Sequence, residues 1–223
     1  KRILNIMLRS VSMDEISDGK LYSSSDMVRA DSLGAMAAMN AAVYGQFDLI
    51  RPFDVYQMSQ GLHVPAAALF NGQLQLTPVD GIVLPAIAMT SDKDQCSFLN
   101  EAGRCSIHMF RPAFAAVSLG RVYDGTGFSY FLQTGQCKKE HLAKVKVRQW
   151  INIPELKRYE QFVCDWHYFL KDLAKTSQGL SPELIKTLHS YILKVFYLTP
   201  YQDGSDFYDQ FYMRQMMQKK LFL

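Results

Sequence analysis

From Pro154 onward the apolar residues fall into step with an α-helix. Leu156, Tyr159, Val163, Trp166, Leu170 and Leu173 recur at alternating three- and four-residue intervals, the stripe of an amphipathic helix. Gly179 ends that segment, and Ser181-Pro182-Glu183 opens the next with a capping hydroxyl and a proline suited to the first helical position. Leu184, Ile185, Leu188, Tyr191, Ile192, Val195 and Phe196 form its apolar face, and Thr199-Pro200 stops it. A final helix is expected over residues 205–220, carrying Phe207, Tyr208, Phe211, Tyr212 and Met216. A helix with one apolar stripe must bury it against another layer, so the last third of the chain constrains the fold most.

The middle third has a different rhythm. Residues 74–77 and 81–85 read as short strands with Val79-Asp80-Gly81 as their turn. Residues 121–123 and 128–132 read as a hairpin around Asp124-Gly-Thr-Gly127, and residues 95–99 and 104–108 as another around Asn100-Glu-Ala-Gly103. Nearer the start, Ser12-Met-Asp-Glu15 has the spacing of a capping box and predicts a short helix ending near Asp18-Gly19. Residues 35–43, rich in Ala and Met, predict a helix, and Arg51-Pro52 opens another that runs to about Leu62. Residues 65–70 give a further helical turn closed by Asn71-Gly72. The expected class is α+β: helices around a small, mostly antiparallel sheet, followed by a helical C-terminal region. The expected division is an α+β domain over 1–150 and a helical region over 151–223 packed on it.

At 223 residues, with 48% hydrophobic and 20% charged residues, the chain can bury a real core and is not of disordered composition. No apolar run reaches the roughly 18 residues of a membrane span. Residues 1–9 hold only a short apolar stretch broken by Asn5, with no small-residue cleavage site after it. A secretory signal is therefore not expected, and a cytoplasmic location is the default. A net charge of +3 gives no basic face of the kind nucleic acid requires. The densest basic stretch, Lys138-Lys139 through Lys144, Lys146 and Arg148, lacks aromatic stacking platforms and reads as a solvated connection.

Four cysteines are present: Cys96, Cys105, Cys137 and Cys164. The nine-residue step from Cys96 to Cys105 spans a turn and suits either shared metal ligation or two packed small hydrophobes. Around them stand Cys96-Ser-Phe-Leu, then Cys105-Ser-Ile-His108 and Arg111-Pro112, with Leu119-Gly-Arg121 and Lys157-Arg-Tyr-Glu-Gln161 further on. Upstream, Ser32, Ala35, Ala38, Ala41 and Ala42 hold the spacing of a Cys-x-x-Cys-x-x-Cys-Cys run without its sulfurs. Over residues 14–170 this pattern resembles the YkgJ-like family of cysteine-cluster proteins, described as zinc- or iron-chelating. The resemblance implies a metal site at Cys96, Cys105 and Cys137, together with cluster positions Ser32, Ala35, Ala38, Ala41, Ala42 and Ala115, where the family has cysteine. Residues 114–119 depart most, standing one residue short of the family's Cys-Arg, two residues, Pro-Leu-Gly-Arg. Loss of sulfur confined to ligand positions points to a cause acting on the cluster itself, whether engineered replacement, natural decay or misread residues.

Thiolates three and seven residues apart on a helix, joined by thiols from a turn, converge on zinc or on an iron–sulfur cluster. A metal-binding role, with zinc or an iron–sulfur cluster as cofactor, is thus the leading expectation. Under it the metal staples helices to the turn. Two alternatives stand beside it. Flagellin lysine methylases, which use S-adenosylmethionine, are similar in their cysteine-cluster signature, which implies an enzyme acting on protein lysine. A metal-free interaction module would instead offer its aromatic C-terminal helices to a protein partner. His108 is a possible ligand or a hydrogen-bonded structural histidine, and Cys164-Asp-Trp-His167 could pair on one helical face. His63, His141 and His189 read as surface or loop residues. Asp54 is expected to cap or salt-bridge its helix, Asp48 is a further polar support, and Arg121 is expected to anchor its hairpin to a carboxylate. The methionines of residues 213–217 suit core or interface packing better than a copper site. No phosphate loop, Gly-x-Ser-x-Gly elbow or His-Glu-x-x-His motif occurs.

Overall fold

The structure, a computed structural model, describes residues 17–30, 49–79, 81–89, 96–102, 105–112, 119–133 and 143–222. The fold is α+β: short antiparallel strands interleaved with helices and followed by a helical C-terminal region. Among the described residues the strands form three separate small sheets rather than one. The helices expected over 12–18 and 35–43 fall wholly or mainly outside the described residues. Residues Ser17–Tyr22 form a strand, so no helix ends at Asp18-Gly19. The chain groups into two compact units, one of Lys1–Asp48 with Met89–Cys164, the other of Leu49–Ala88 with Asp165–Leu223. Each unit thus draws on both sides of the expected boundary at residue 150.

In the first unit, strand β1 (Ser17–Tyr22) pairs with β6 (Phe128–Gln133), which also pairs with β5 (Leu119–Tyr123). The register of β1 shifts between Ser17 and Leu21, where Gly19 takes a left-handed φ of 72°. The β5–β6 turn is set by one carboxylate. Asp124 Oδ1 accepts from Thr126 N at 3.0 Å and Gly127 N at 2.7 Å, and these bonds hold its carboxyl below the usual range. Strand β2 (Met27–Ala30) pairs with β7 (Ala143–Lys146), and helix α1 (Pro52–Leu62) belongs to the other unit. Helix α2 (Val147–Ile151) follows β7 directly. Its first amides are capped from a distance, Val147 N donating to Asp26 O at 3.0 Å and Arg148 N to Ser24 O at 2.9 Å. Val28, Val147, Ile151, Tyr159, Phe162 and Val163 are buried in this unit.

In the second unit Pro52 occupies the first turn of α1, and the buried Asp54 accepts from Arg51 N at 2.9 Å, as expected of a cap. A 3₁₀ turn at Ala66–Phe70 leads into β3 (Leu74–Val79) and β4 (Ile82–Ile87), a hairpin whose turn glycine, Gly81, has φ 81°. Helix α3 (Leu156–Ser177) begins in the first unit and runs into the second. Its buried face is Tyr159, Phe162, Val163, Trp166, Phe169 and Leu173, whereas Leu156 and Leu170 are only half-buried. Helix α4 (Pro182–Leu193) starts at Ser181, whose hydroxyl accepts from Leu184 N, and widens into a π-helical turn over Lys194–Leu198. Leu188 and Ile192 face inward, but Leu184 and Tyr191 are exposed, which narrows the expected apolar face. Helix α5 (Phe207–Phe222) closes the unit.

Two linked aromatic groups fill this second unit. Trp166, Phe169, Phe196 and Phe211 pack with ring centroids 5.0–5.8 Å apart. Phe53, Tyr56, Tyr201 and Phe207 form the second group, and Phe207 reaches Phe211 at 6.1 Å. Arg214 ties off the end of the π turn, with Nη1 donating to Val195 O at 2.7 Å and Thr199 O at 2.9 Å, and Nη2 to Pro200 O at 2.7 Å. Its guanidinium lies 3.8 Å from the Tyr201 ring centroid.

Arg214→Ala therefore strips three carbonyls of their shared donor and is expected to lower stability by about 2–3 kcal/mol in denaturant melts. Arg214→Lys should recover only part of that, because an ammonium cannot reproduce the planar fork. In the first unit, a Cβ built on Gly120 would lie 2.0 Å from Cζ of the buried Phe131. Gly120→Ala is expected to cost about 1–3 kcal/mol through overpacking, read in the same melts.

Candidate metal centre

Residues 96–102 and 105–112 are tight turns with one antiparallel bridge between the two segments, in place of the expected pair of strands. Leu99 N donates to Cys96 O at 3.0 Å, closing the first turn. Leu99 then pairs with Cys105 in an isolated bridge, and Ser106 donates to Phe98 O from both its amide, at 2.8 Å, and its hydroxyl, at 2.9 Å. Phe98 and Ile107 are buried beneath these turns, and His108–Phe110 form a 3₁₀ turn. Cys96 pairs with Met89 on the other side. Cys96 and Cys105 thus sit in turns that one bridge joins. Both residues are half-buried.

The electrostatics of this loop centre on Arg111. Burial pushes the Cys105 thiol above its ordinary range, while the Ile107 amide and the Arg111 charge draw it back. Burial, then the same positive charge, holds His108 below its usual range, so at neutral pH its imidazole is uncharged. Nε2 of His108 is shielded from solvent and has no hydrogen-bond partner among the described residues. An uncharged imidazole with an open nitrogen is the form that binds metal. Zinc, however, asks for four donors at about 2.3 Å in a tetrahedron. Among the described residues no three His, Cys, Asp or Glu side chains come together to hold an ion. Cys96, Cys105 and His108 therefore do not complete a site by themselves. Cys137 and positions 32, 35, 38, 41, 42 and 115 lie outside the described residues, as do Asp48 and His141.

Other polar candidates have structural duties. Arg121 lies over the rings of Phe128 and Tyr130, at 5.4 and 5.6 Å, and among the described residues it meets no carboxylate of the kind expected to anchor it. His63 terminates α1 in a left-handed conformation with φ 56°, and His189 is half-buried on α4. Cys164 is buried, its thiol donating to Thr126 O at 3.7 Å, while His167 meets the edge of Tyr168. Cys164 and His167 thus have other partners.

A cleft of about 300 Å³ with a mixed polar and apolar lining was not visible in the sequence. Lys157, Glu160, Gln161 and Cys164 from α3 face Thr126, Phe128 and Tyr130 of the hairpin and the Ser23-Ser24 turn across it. The buried Tyr130 hydroxyl donates to Glu160 Oε1 at 3.1 Å. The spacing of Lys157, Glu160 and Cys164 marks one helical face, but only tertiary packing supplies the opposite wall. No protein family, curated protein or solved structure matches this chain.

Arg111 lowers a thiol that burial raises, so its removal should make Cys105 less reactive. With Arg111→Gln, alkylation of Cys105 at about pH 8, followed by peptide mass spectrometry, is expected to slow roughly two- to fivefold. The rate should climb with pH in both proteins, since the thiolate is the nucleophile.

Proposed function

We propose that this chain is a cysteine-cluster protein whose metal binding, to zinc or an iron–sulfur cluster, has been reduced to a remnant at Cys96, Cys105 and Cys137. What supports the reading is the closure of the turns that carry Cys96 and Cys105, which the Leu99–Cys105 bridge joins, with an uncharged His108 three residues after Cys105. The second support is the spacing of Ser32, Ala35, Ala38, Ala41 and Ala42, which matches a cluster of ligands with the donor atoms removed. Alanine supplies no lone pair, so the intact site of such a protein would be completed only by sulfur at those positions. Among the described residues no helix is long and apolar enough to cross a membrane. A reducing, cytoplasmic setting fits thiols held as ligands instead of disulfides.

The decisive experiment returns the sulfurs. The chain as it stands, purified without oxygen, is expected to carry less than one metal per molecule, released by chelator and reduced further by Cys105→Ser. The quadruple variant Ala35→Cys, Ala38→Cys, Ala41→Cys, Ala42→Cys is expected to bind about one zinc ion or one cluster per chain. Elemental analysis and visible absorption distinguish the two. A folded quadruple variant that remains free of zinc and iron under metal-replete expression overturns the reading.

A further inference from the structure

Helix α5 is apolar on two opposite sides. Its inner side is filled by Phe207, Tyr208 and Phe211, with Gln215 and Gln218 also buried. Its outer side carries Met213, Met216 and Met217, which are 58%, 53% and 53% exposed. A helix face turned to solvent normally presents polar residues. Asp209, Met213, Met216 and Lys220 follow one another at steps of four, three and four, the spacing of a helix–helix seam. Beside that seam lies an open concavity of about 550 Å³, lined by Tyr212, Gln215, Met216, Lys219 and Lys220.

We propose that this face pairs, antiparallel, with the same face of a second copy of the chain. The argument is charge self-complementarity. The acid of the seam, Asp209, stands at its N-terminal end and the base, Lys220, at its C-terminal end, with methionines between. A two-fold axis midway between Met213 and Met216 sets Asp209 of each copy opposite Lys220 of the other, and Met213 opposite Met216. An isologous contact of this kind satisfies both ends at once. A parallel pairing would instead set Asp209 against Asp209 and Lys220 against Lys220, which is repulsive. Methionine, flexible and unbranched, fills the concavity flanking the seam without demanding a fixed shape. A seam about three turns long on a single helix buries less than the about 800 Å² per partner of standard complexes, so the dimer is weak and concentration-dependent.

Sedimentation equilibrium of the full chain from about 10 μM to about 1 mM tests the pairing. A monomer–dimer equilibrium is expected, abolished by the double variant Met213→Glu, Met216→Glu. Asp209→Lys and Lys220→Asp singly should each weaken it about two- to fivefold, and the two together should restore it. Far-ultraviolet circular dichroism confirms that each variant is folded. A chain that stays monomeric throughout overturns the proposal, as does a dimer indifferent to Met213→Glu, Met216→Glu. Failure of the charge exchange to restore association overturns the antiparallel register.

Discussion

The contact on which the second unit depends is the buried meeting of Trp166, Phe196 and Phe211. Each ring comes from a different element: α3, the π turn and α5. None of these elements can bury its apolar face alone, and the three faces close on one another. The π turn matters because both Phe196 and Tyr197 are fully buried although adjacent in sequence. A regular α-helix rotates neighbouring side chains far apart, and the wider turn reduces that rotation so that both reach the interior. Tyr197 then spends its hydroxyl on Ile50 O, at 3.0 Å, joining the C-terminal helices to the stretch that pairs with β4. Burial raises that hydroxyl well above its ordinary range, and Asp54 adds to the effect, so the tyrosine stays a neutral donor at any working pH.

The first unit is held by different means. Its described elements are short, and much of its order comes from turns that solve backbone hydrogen bonding locally. Asp26 accepts from the amide and hydroxyl of Ser23, at 2.7 and 2.8 Å, and the turn so fixed offers its own carbonyls to the first amides of α2. Asp124 performs the same service in the β5–β6 hairpin. Such carboxylates are exposed and their bonds individually modest. Their value is geometric, because each aligns a carbonyl or a strand that another element then uses. The turns of residues 96–102 and 105–112 belong to this class, with Ser106 and Leu99 closing turns around the buried Phe98 and Ile107.

What the sequence made legible follows from the range of the forces involved. Helices α1, α3, α4 and α5 and the β3–β4 and β5–β6 hairpins were all anticipated, since periodicity, caps and turn residues act within a few positions. Strands β1, β2 and β7 were not. Their partners lie more than a hundred residues away, and Ser17-Asp-Gly-Lys shows no alternation. The same limit explains the shifted face of α3, where Phe162 and Phe169 are buried more deeply than Leu156 and Leu170. Both sets lie near the stripe, and only the packed neighbours choose between them. In the candidate site, the loop bearing Cys96 and Cys105 was legible because the turn is local. The position of Arg121 over two rings was not, because cation–π contact leaves no spacing signature. The cleft between α3 and the Thr126 turn was hidden for the same reason as β1.

The make-up of the two described cores bears on the proposed loss of a metal site. The described cores rest on aromatic and aliphatic side chains, and none of their fully buried large residues is a cysteine or histidine. In a protein folded around its metal, removing the donors removes folding free energy outright. Here the apolar contacts of Trp166, Phe196 and Phe211 and of Tyr159, Phe162 and Val163 are made without any donor atom. On the proposed reading, Ala and Ser, the side chains nearest to cysteine in size, would remove chemistry at positions 32–42 while changing volume little. Of the thiols in the proposed remnant, Cys96 and Cys105 sit in turns whose closure, through Ser106 and Leu99, requires no metal.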